Sequence, residues 1–354
     1  MFALPVAATV VAALAGFAVG YPTPVCTNSF VTVTASATNY DLSNGTLPPA
    51  ATVPVSGTYS IQLRYCKPTL PVPSRANSLQ VLVHGLTYNT NYWDIPYKPD
   101  TYSYARWAAF NGYATLNMAR LGYGNSSHPD PVTVVQDPMD TAIVTKIVEL
   151  ARAGGIPGAG KSFSKIIYAG HSYGSLILNG IMAATPSLVN AAVLSGYSHE
   201  VGTGVPTIIA GMAPAATVDP ARFGSLPPGY MTTINSTTRA AAFYGPTGSY
   251  ESGALAYDES TKDTATLGEF ITFPATLVPA PSFTGDVLTI NGDHDLVFCT
   301  TTDCANGSAG SSYYPAANSV EYIVIPVTGH CLNFHHTAPL TYLKIQQWLN
   351  AHGY

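Results

Sequence analysis

The sequence predicts an α/β fold, a mostly parallel central sheet flanked by helices with a cap inserted into it, and three observations carry that expectation. From residue 79 onward, short apolar runs alternate with stretches of helical periodicity. The runs are almost unbroken in Val, Ile, Leu and Ala, as in strands covered on both faces, and do not alternate as half-exposed strands do. Residues 196–282 lack the alternation yet lie between two strand candidates, which marks them as an insertion over one edge of the sheet.

Taken in order, residues 79–83, 113–118, 165–169, 191–194 and 287–290 read as buried strands, and residues 320–325 as a sixth. Helices are expected between them at residues 140–153, where Ile143, Ile147 and Leu150 form one stripe, and at 175–184, with a last helix at 339–352. Two Pro-rich segments, 46–54 and 68–73, read as surface connections within an N-terminal extension. The expected organisation is a signal peptide at 1–20, an extension at 21–78, a core in two parts at 79–195 and 283–354, and the cap at 196–282.

Composition narrows the class. Of 354 residues only 9% are charged while 47% are hydrophobic, and the net charge is -5. Disorder and coiled coils need more charge or a heptad pattern, and a nucleic-acid binder needs an excess of base. Neither nucleic acid nor any other anionic partner is therefore expected.

Residues 2–20 carry no charge and end in Ala18-Val19-Gly20, the pattern of a secretory signal peptide with small residues at its cleavage site. The apolar part falls short of the ~20 residues a membrane span needs, and no later segment offers one. Secretion makes the five cysteines readable as disulfide candidates. The expected bridges are Cys26 with Cys66, stapling the extension to the body, and Cys299 with Cys304; Cys331 with Cys299 is the alternative. Sequons begin at Asn44, Asn125, Asn235 and Asn306, each in a Gly- or Ser-rich stretch.

Gly170-His171-Ser172-Tyr173-Gly174 follows a strand candidate and precedes a helix, the context of a nucleophile elbow. A serine hydroxyl is a poor nucleophile at neutral pH and needs an imidazole to take its proton and a carboxylate to hold the imidazole's tautomer. Of nine histidines, His330 alone follows the last strand in a Gly-containing loop before the C-terminal helix. His335 and His336 read as surface or helix-start polar residues. The carboxylate is expected at the end of the preceding strand, where Asp295, followed by apolar residues, is favoured over Asp293, which reads as a loop cap. The Tyr173 N–H faces the same space as the serine, and Leu86 in the loop Val83-His84-Gly85-Leu86-Thr87 is the expected second oxyanion donor, with Thr87 as the alternative.

The order Ser, Asp, His, the His84-Gly85 loop, the elbow, the Gly292 to Asp295 loop and Gly329-His330 together resemble the α/β-hydrolase superfamily over residues 79–354. Tyr92-Trp93-Asp94-Ile95-Pro96-Tyr97 and Ala119-Arg120-Leu121-Gly122-Tyr123-Gly124-Asn125-Ser126 are similar to secreted fungal members of the esterase and lipase kind. The resemblance implies a cap at 196–282, and it places Asp where this chain has Ala119, a departure expected to weaken a structural ion pair at Arg120.

The activity expected from these residues is hydrolysis of a small, apolar carboxylic ester through an acyl-enzyme, with no metal or cofactor. A prolyl-aminopeptidase type of serine peptidase is the alternative, since Glu251, Asp258, Glu259, Asp263 and Glu269 offer carboxylates in the cap that would hold a substrate amine; as a solvated surface they would hold none. A non-catalytic binding protein on the same scaffold is the third reading.

Overall fold

The apolar runs pair into one eight-stranded sheet in the computed structural model, which describes residues 22–43, 45, 51–299 and 310–354. The strands are β1 Val25–Tyr40, β2 Thr52–Lys67, β3 Ser78–Val83, β4 Ala114–Met118, β5 Lys165–His171, β6 Ala191–Ser195, β10 Asp286–Gly292 and β11 Ser319–Ile325, in the order β1-β2-β4-β3-β5-β6-β10-β11. Six of them, from β4 to β11, run parallel. These are the six strands expected from the sequence, each displaced at its ends by a residue or two. Except in the edge strand β11, of which only Ile325 is buried, their side chains are buried on both faces, with Leu79, Val81, Leu82, Val83, Ile166, Ile167, Val193 and Leu288 fully removed from solvent, which is why their sequences show no alternation.

The helices Asp137–Ala153, Tyr173–Ala184 and Ala338–Ala351 follow the expected stretches. The first starts one turn earlier than its apolar stripe, and Gly154 in the left-handed conformation (φ 82°) ends it. Ile143 and Ile147 face the core as the stripe requires.

The N-terminal extension departs from expectation. Residues 68–72 are the surface connection expected and 46–50 lie outside the described residues, but the rest of the extension forms a hairpin of two 16-residue strands, whose β2 pairs antiparallel with β4 and so widens the sheet by two strands. Val33 and Ala35 on β1, and Tyr59, Ile61, Leu63 and Tyr65 on β2, are among its buried positions, a period-two pattern that the Pro-rich flanks obscured. Register also corrects the role of the first bridge. Cys26 and Cys66 are directly opposed, their Cα atoms 4.0 Å apart, and are bonded. Their disulfide therefore closes the hairpin on itself, while the β2–β4 ladder attaches it to the body.

Residues 196–282 hold a second sheet of three short strands, β7 Met212–Pro214, β8 Tyr230–Thr233 and β9 Ala265–Thr266, with short helices around it. Ala215, Phe223 and Tyr230 form a small apolar cluster of their own there. No helix among the described residues is long and apolar enough to cross a membrane.

Candidate active site

Strand β5 runs straight into Ser172, and the helix Tyr173–Ala184 begins at the next residue. Ser172 has φ 53° and ψ -116°, a conformation that costs a non-glycine residue about 1–3 kcal/mol and aims its side chain away from the sheet. Both flanking glycines are required by contact. A Cβ on Gly170 would lie 2.5 Å from the Gly174 carbonyl oxygen, and one on Gly174 would lie 2.2 Å from that of Val83. The turn closes only because neither has a side chain.

Two further strand ends bring in the acid and the base. Asp295, beyond β10, is fully buried; its Oδ1 accepts the N–H groups of Val297 (2.8 Å) and Phe298 (3.2 Å). Its Oδ2 accepts from His330 Nδ1 at 2.8 Å. A carboxylate only accepts, so this bond sets the proton on Nδ1 and leaves Nε2 as a lone-pair base. Asp293 is spent elsewhere: it accepts the Thr328 N–H at 3.0 Å and pairs with the His294 ring at 2.6 Å. Of the two acids open to choice in the sequence, the structure brings only Asp295 to His330.

The loop after β3 lies against the elbow. Thr87 (φ 60°) gives its N–H to the Thr264 carbonyl at 2.9 Å, and is thereby occupied. The Leu86 N–H has no acceptor among the described residues, and that of Tyr173, at the first helical position, has none within its helix. Gly85 brings this loop against the elbow: a Cβ there would meet Ser172 Cβ at 2.8 Å.

This loop is held from beneath by Arg120, which is fully buried. Its backbone N–H reaches His84 Nε2 at 3.1 Å and its guanidinium donates to the carbonyls of His84 (3.1 Å) and Gly85 (3.4 Å). Ala119 does not leave it without an anion. Arg120 pairs with Asp140 from the helix Asp137–Ala153 and with Glu269 from the 196–282 segment, and lies between the rings of Tyr123 and Tyr173. The expected weakening is thus made good by two carboxylates remote in sequence.

Glu269 is one of five acids of the inserted segment that the sequence left unexplained, and neither a solvated face nor an amine site describes them. Asp258 is buried against Arg239 (2.7 Å), whose guanidinium also reaches Thr87. Buried Asp263 accepts from Asn89 and from the Gly124 N–H. Glu251 accepts from Lys98, Tyr97 and Tyr102, and Glu259 pairs with Lys262. Four of the five, Glu251, Asp258, Asp263 and Glu269, tie the segment, directly or through Arg239, to the loops after β3 and β4 or to the stretch following the first of these.

Ser172 and His330 open into one cavity of about 60 Å³. Its other walls are Leu86, Leu176, Val297 and Phe298 from the core and Val201, Val205, Ile208, Met212, Phe243, Phe270 and Phe273 from the inserted segment. Among the aromatics of that segment, Phe243 and Phe270 line the cavity beside Ser172, while Phe223 and Tyr230 build its local core.

His335 is the residue that the sequence reading placed wrongly. It is fully buried, not a surface group, and its ring nitrogens bind the backbone on either side of His330. His336, by contrast, is exposed. Cys331 is a buried free thiol, which removes its pairing with Cys299; Cys299 is itself disulfide-bonded, and Cys304 lies outside the described residues. The sequon asparagines Asn125 and Asn235 are exposed, the latter capping the helix Ser236–Phe243 with its side-chain oxygen. Asn44 and Asn306, like the signal peptide expected at 1–20, fall outside the described residues.

A serine on a strand-to-helix elbow and an imidazole held by a buried carboxylate, at the C-terminal ends of parallel strands, are the arrangement expected of a hydrolase. The profile of the alpha/beta hydrolase family matches residues 80–340, and the chain belongs to that family. A search of curated protein sequences returns no match. Among solved structures, the fold is similar to a thermophilic esterase from Thermogutta terrifontis, with TM-score 0.59 and 13% identity over 92% of this chain and 100% of that one. It is also similar to a monoglyceride lipase from Saccharomyces cerevisiae (TM-score 0.55, 15% identity, 83% and 92% covered). A monoacylglycerol lipase from Paleococcus ferrophilus gives TM-score 0.54 and 15% identity, with 82% and 99% covered.

Proposed function

We propose that this hydrolase is a secreted serine esterase acting on carboxylic esters of apolar acyl groups. The single observation that supports it most is the Asp295–His330 hydrogen bond at 2.8 Å with His330 and Ser172 in one cavity. In this reading Ser172 attacks the acyl carbonyl while His330 Nε2 takes its proton. Asp295 stabilises the imidazolium, and the N–H groups of Leu86 and Tyr173 receive the oxyanion. His330 then returns the proton to the leaving alcohol, and water, activated by the same base, releases the acid.

The lining points to the substrate. Apart from Thr87, Tyr88, Ser172, Tyr173 and His330 it is aliphatic or Phe, so hydroxyls or charges on the buried part of a substrate would lose their hydration without recompense. About 60 Å³ corresponds to roughly two water molecules, so a long acyl group enters only if the covering segment moves. The peptidase alternative loses its support, since none of the five acids lines the cavity and each has a partner. The esterases and lipases among the structural neighbours are consistent with ester hydrolysis. The first twenty residues, the sequons and the bonded cysteines support secretion.

The deciding experiment is fluorophosphonate labelling with turnover of a chain-length series of acyl esters. Ser172→Ala should lose both labelling and turnover at an almost unchanged thermal midpoint. Turnover retained by that variant would overturn the assignment, and an unlabelled wild type would point to a binding protein.

A further inference from the structure

Beyond the triad, the region that carries His330 contains a second buried imidazole whose bonds leave no freedom in its protonation. His335 Nε2 faces two backbone N–H groups, that of Gly329 at 3.1 Å and that of Gly245 at 2.9 Å. Its Nδ1 faces the Cys331 carbonyl oxygen at 2.9 Å. An N–H can only donate and a carbonyl can only accept, so the ring must be neutral, with its proton on Nδ1 and its lone pair on Nε2.

The positions of these three partners matter more than their number. Gly329 and Cys331 are the residues immediately before and after His330. Gly245 belongs to the inserted segment, just beyond the helix Ser236–Phe243, and that helix's last carbonyl, on Phe243, accepts the Cys331 N–H at 3.0 Å. The approach is close: a Cβ on Gly329 would come within 2.3 Å of the Gly245 nitrogen. Phe243 in turn walls the cavity beside Ser172.

We infer that His335 is a positioning residue, a neutral imidazole clamp that fixes the backbone on both sides of His330 and joins it to the inserted segment. The inference rests on His330 being the general base. Protonating His335 would put a third N–H against the two already aimed at Nε2, and the clamp would open. The titratable groups around it are Asp295 and His294 from the loop after β10, His336 and the Cys331 thiol on its own stretch, and Tyr244 and Tyr250 from the inserted segment. Burial opposes the charged ring most, joined by His336 and His294; the Cys331 carbonyl and Asp295 favour it, and the ring's pKa is pushed down to about 4. The clamp therefore holds at neutral pH and releases in acid.

The test compares wild type with His335→Gln and His335→Phe in steady-state kinetics from pH 2.5 to 8, with fluorophosphonate titration counting the folded sites. Gln offers a carbonyl oxygen to the two N–H groups and an amide to Cys331 without being able to titrate. His335→Phe should lower kcat by about 10²-fold per titrated site with little change in KM, the scale of an ångström's displacement of a catalytic group. His335→Gln should recover most of that loss at pH 7.5 and show a shallower acid limb, one proton fewer than wild type. A Phe variant with kcat near that of wild type, or a Gln variant whose acid limb superposes on it, overturns the clamp. Where Phe prevents folding, the Gln profile decides alone. Absence of ester turnover in wild type would overturn the serine-esterase reading itself, and the inference with it.

Discussion

Replacing Asp137 with Asn should stabilise this protein at neutral pH, because the native structure buries a carboxyl that it does not ionise. Asp137 opens the helix Asp137–Ala153, is fully buried, and neither of its oxygens has a partner in hydrogen-bonding geometry among the described residues. Burial is the main cause raising its pKa from 3.8 to about 8; the Thr276 hydroxyl opposes the shift and the Glu269 carboxylate adds to it. Between those two values the unfolded chain has lost this proton and the native state has kept it. Stability from this group is therefore complete below pH 3.8 and is lost as pH rises towards 8, at about 1.4 kcal/mol per unit. At pH 7, some three units up that slope, the accumulated cost is about 4 kcal/mol. Asn has nearly the shape of the protonated acid and does not titrate, but it adds a buried amide donor worth about 1 kcal/mol of penalty. The expected gain at pH 7 is then about 3 kcal/mol, vanishing at pH ~4.5. Urea unfolding of both proteins at pH 4.5, 6, 7 and 8, with m-values held as a check on the unfolded state, measures it. Unfolding free energies that stay parallel across the four pH values would refute the reasoning.

Other expectations concern the site. Asp295→Asn should lower kcat by about 10⁴-fold by allowing the wrong His330 tautomer, as the equivalent change does in a serine protease. Asp293→Asn should leave kcat nearly unchanged, and the reverse ranking in ester turnover would exchange their roles. Gly85→Ala should displace the Ser172 side chain it would meet at 2.8 Å and slow acylation by about 10²-fold; an unchanged rate of fluorophosphonate labelling would show that the loop yields without harm.

Much of this was legible along the chain because it depends on neighbours in sequence. The buried parallel strands are written as apolar runs, and the elbow as two glycines flanking a serine between a strand and a helix. The N-terminal hairpin carried its own signal, in the spacing of Val31, Val33, Ala35 and Ala37 and of Tyr59, Ile61, Leu63 and Tyr65, but its proline-rich flanks pointed to loops. The choice between Asp293 and Asp295, two residues apart on one loop, rested on a single sign, the apolar residues after Asp295 that predict its burial; which carboxylate reaches His330 is decided by how the loop turns.

What the sequence by itself determined is the class of fold and the three strand ends that carry Ser172, Asp295 and His330, since hydrophobic period and glycine placement are local properties. The tertiary structure decided the partners of the polar groups. Arg120 finds Glu269, 149 residues away; Arg239 reaches Thr87, Asp258 pairs with Arg239, and His335 grips Gly245 and Gly329. A lone charge or imidazole in a sequence reads as solvent-exposed because burial without partners is costly. Only the folded chain supplies partners from distant segments, and here they bind the inserted segment to the loops that shape the site.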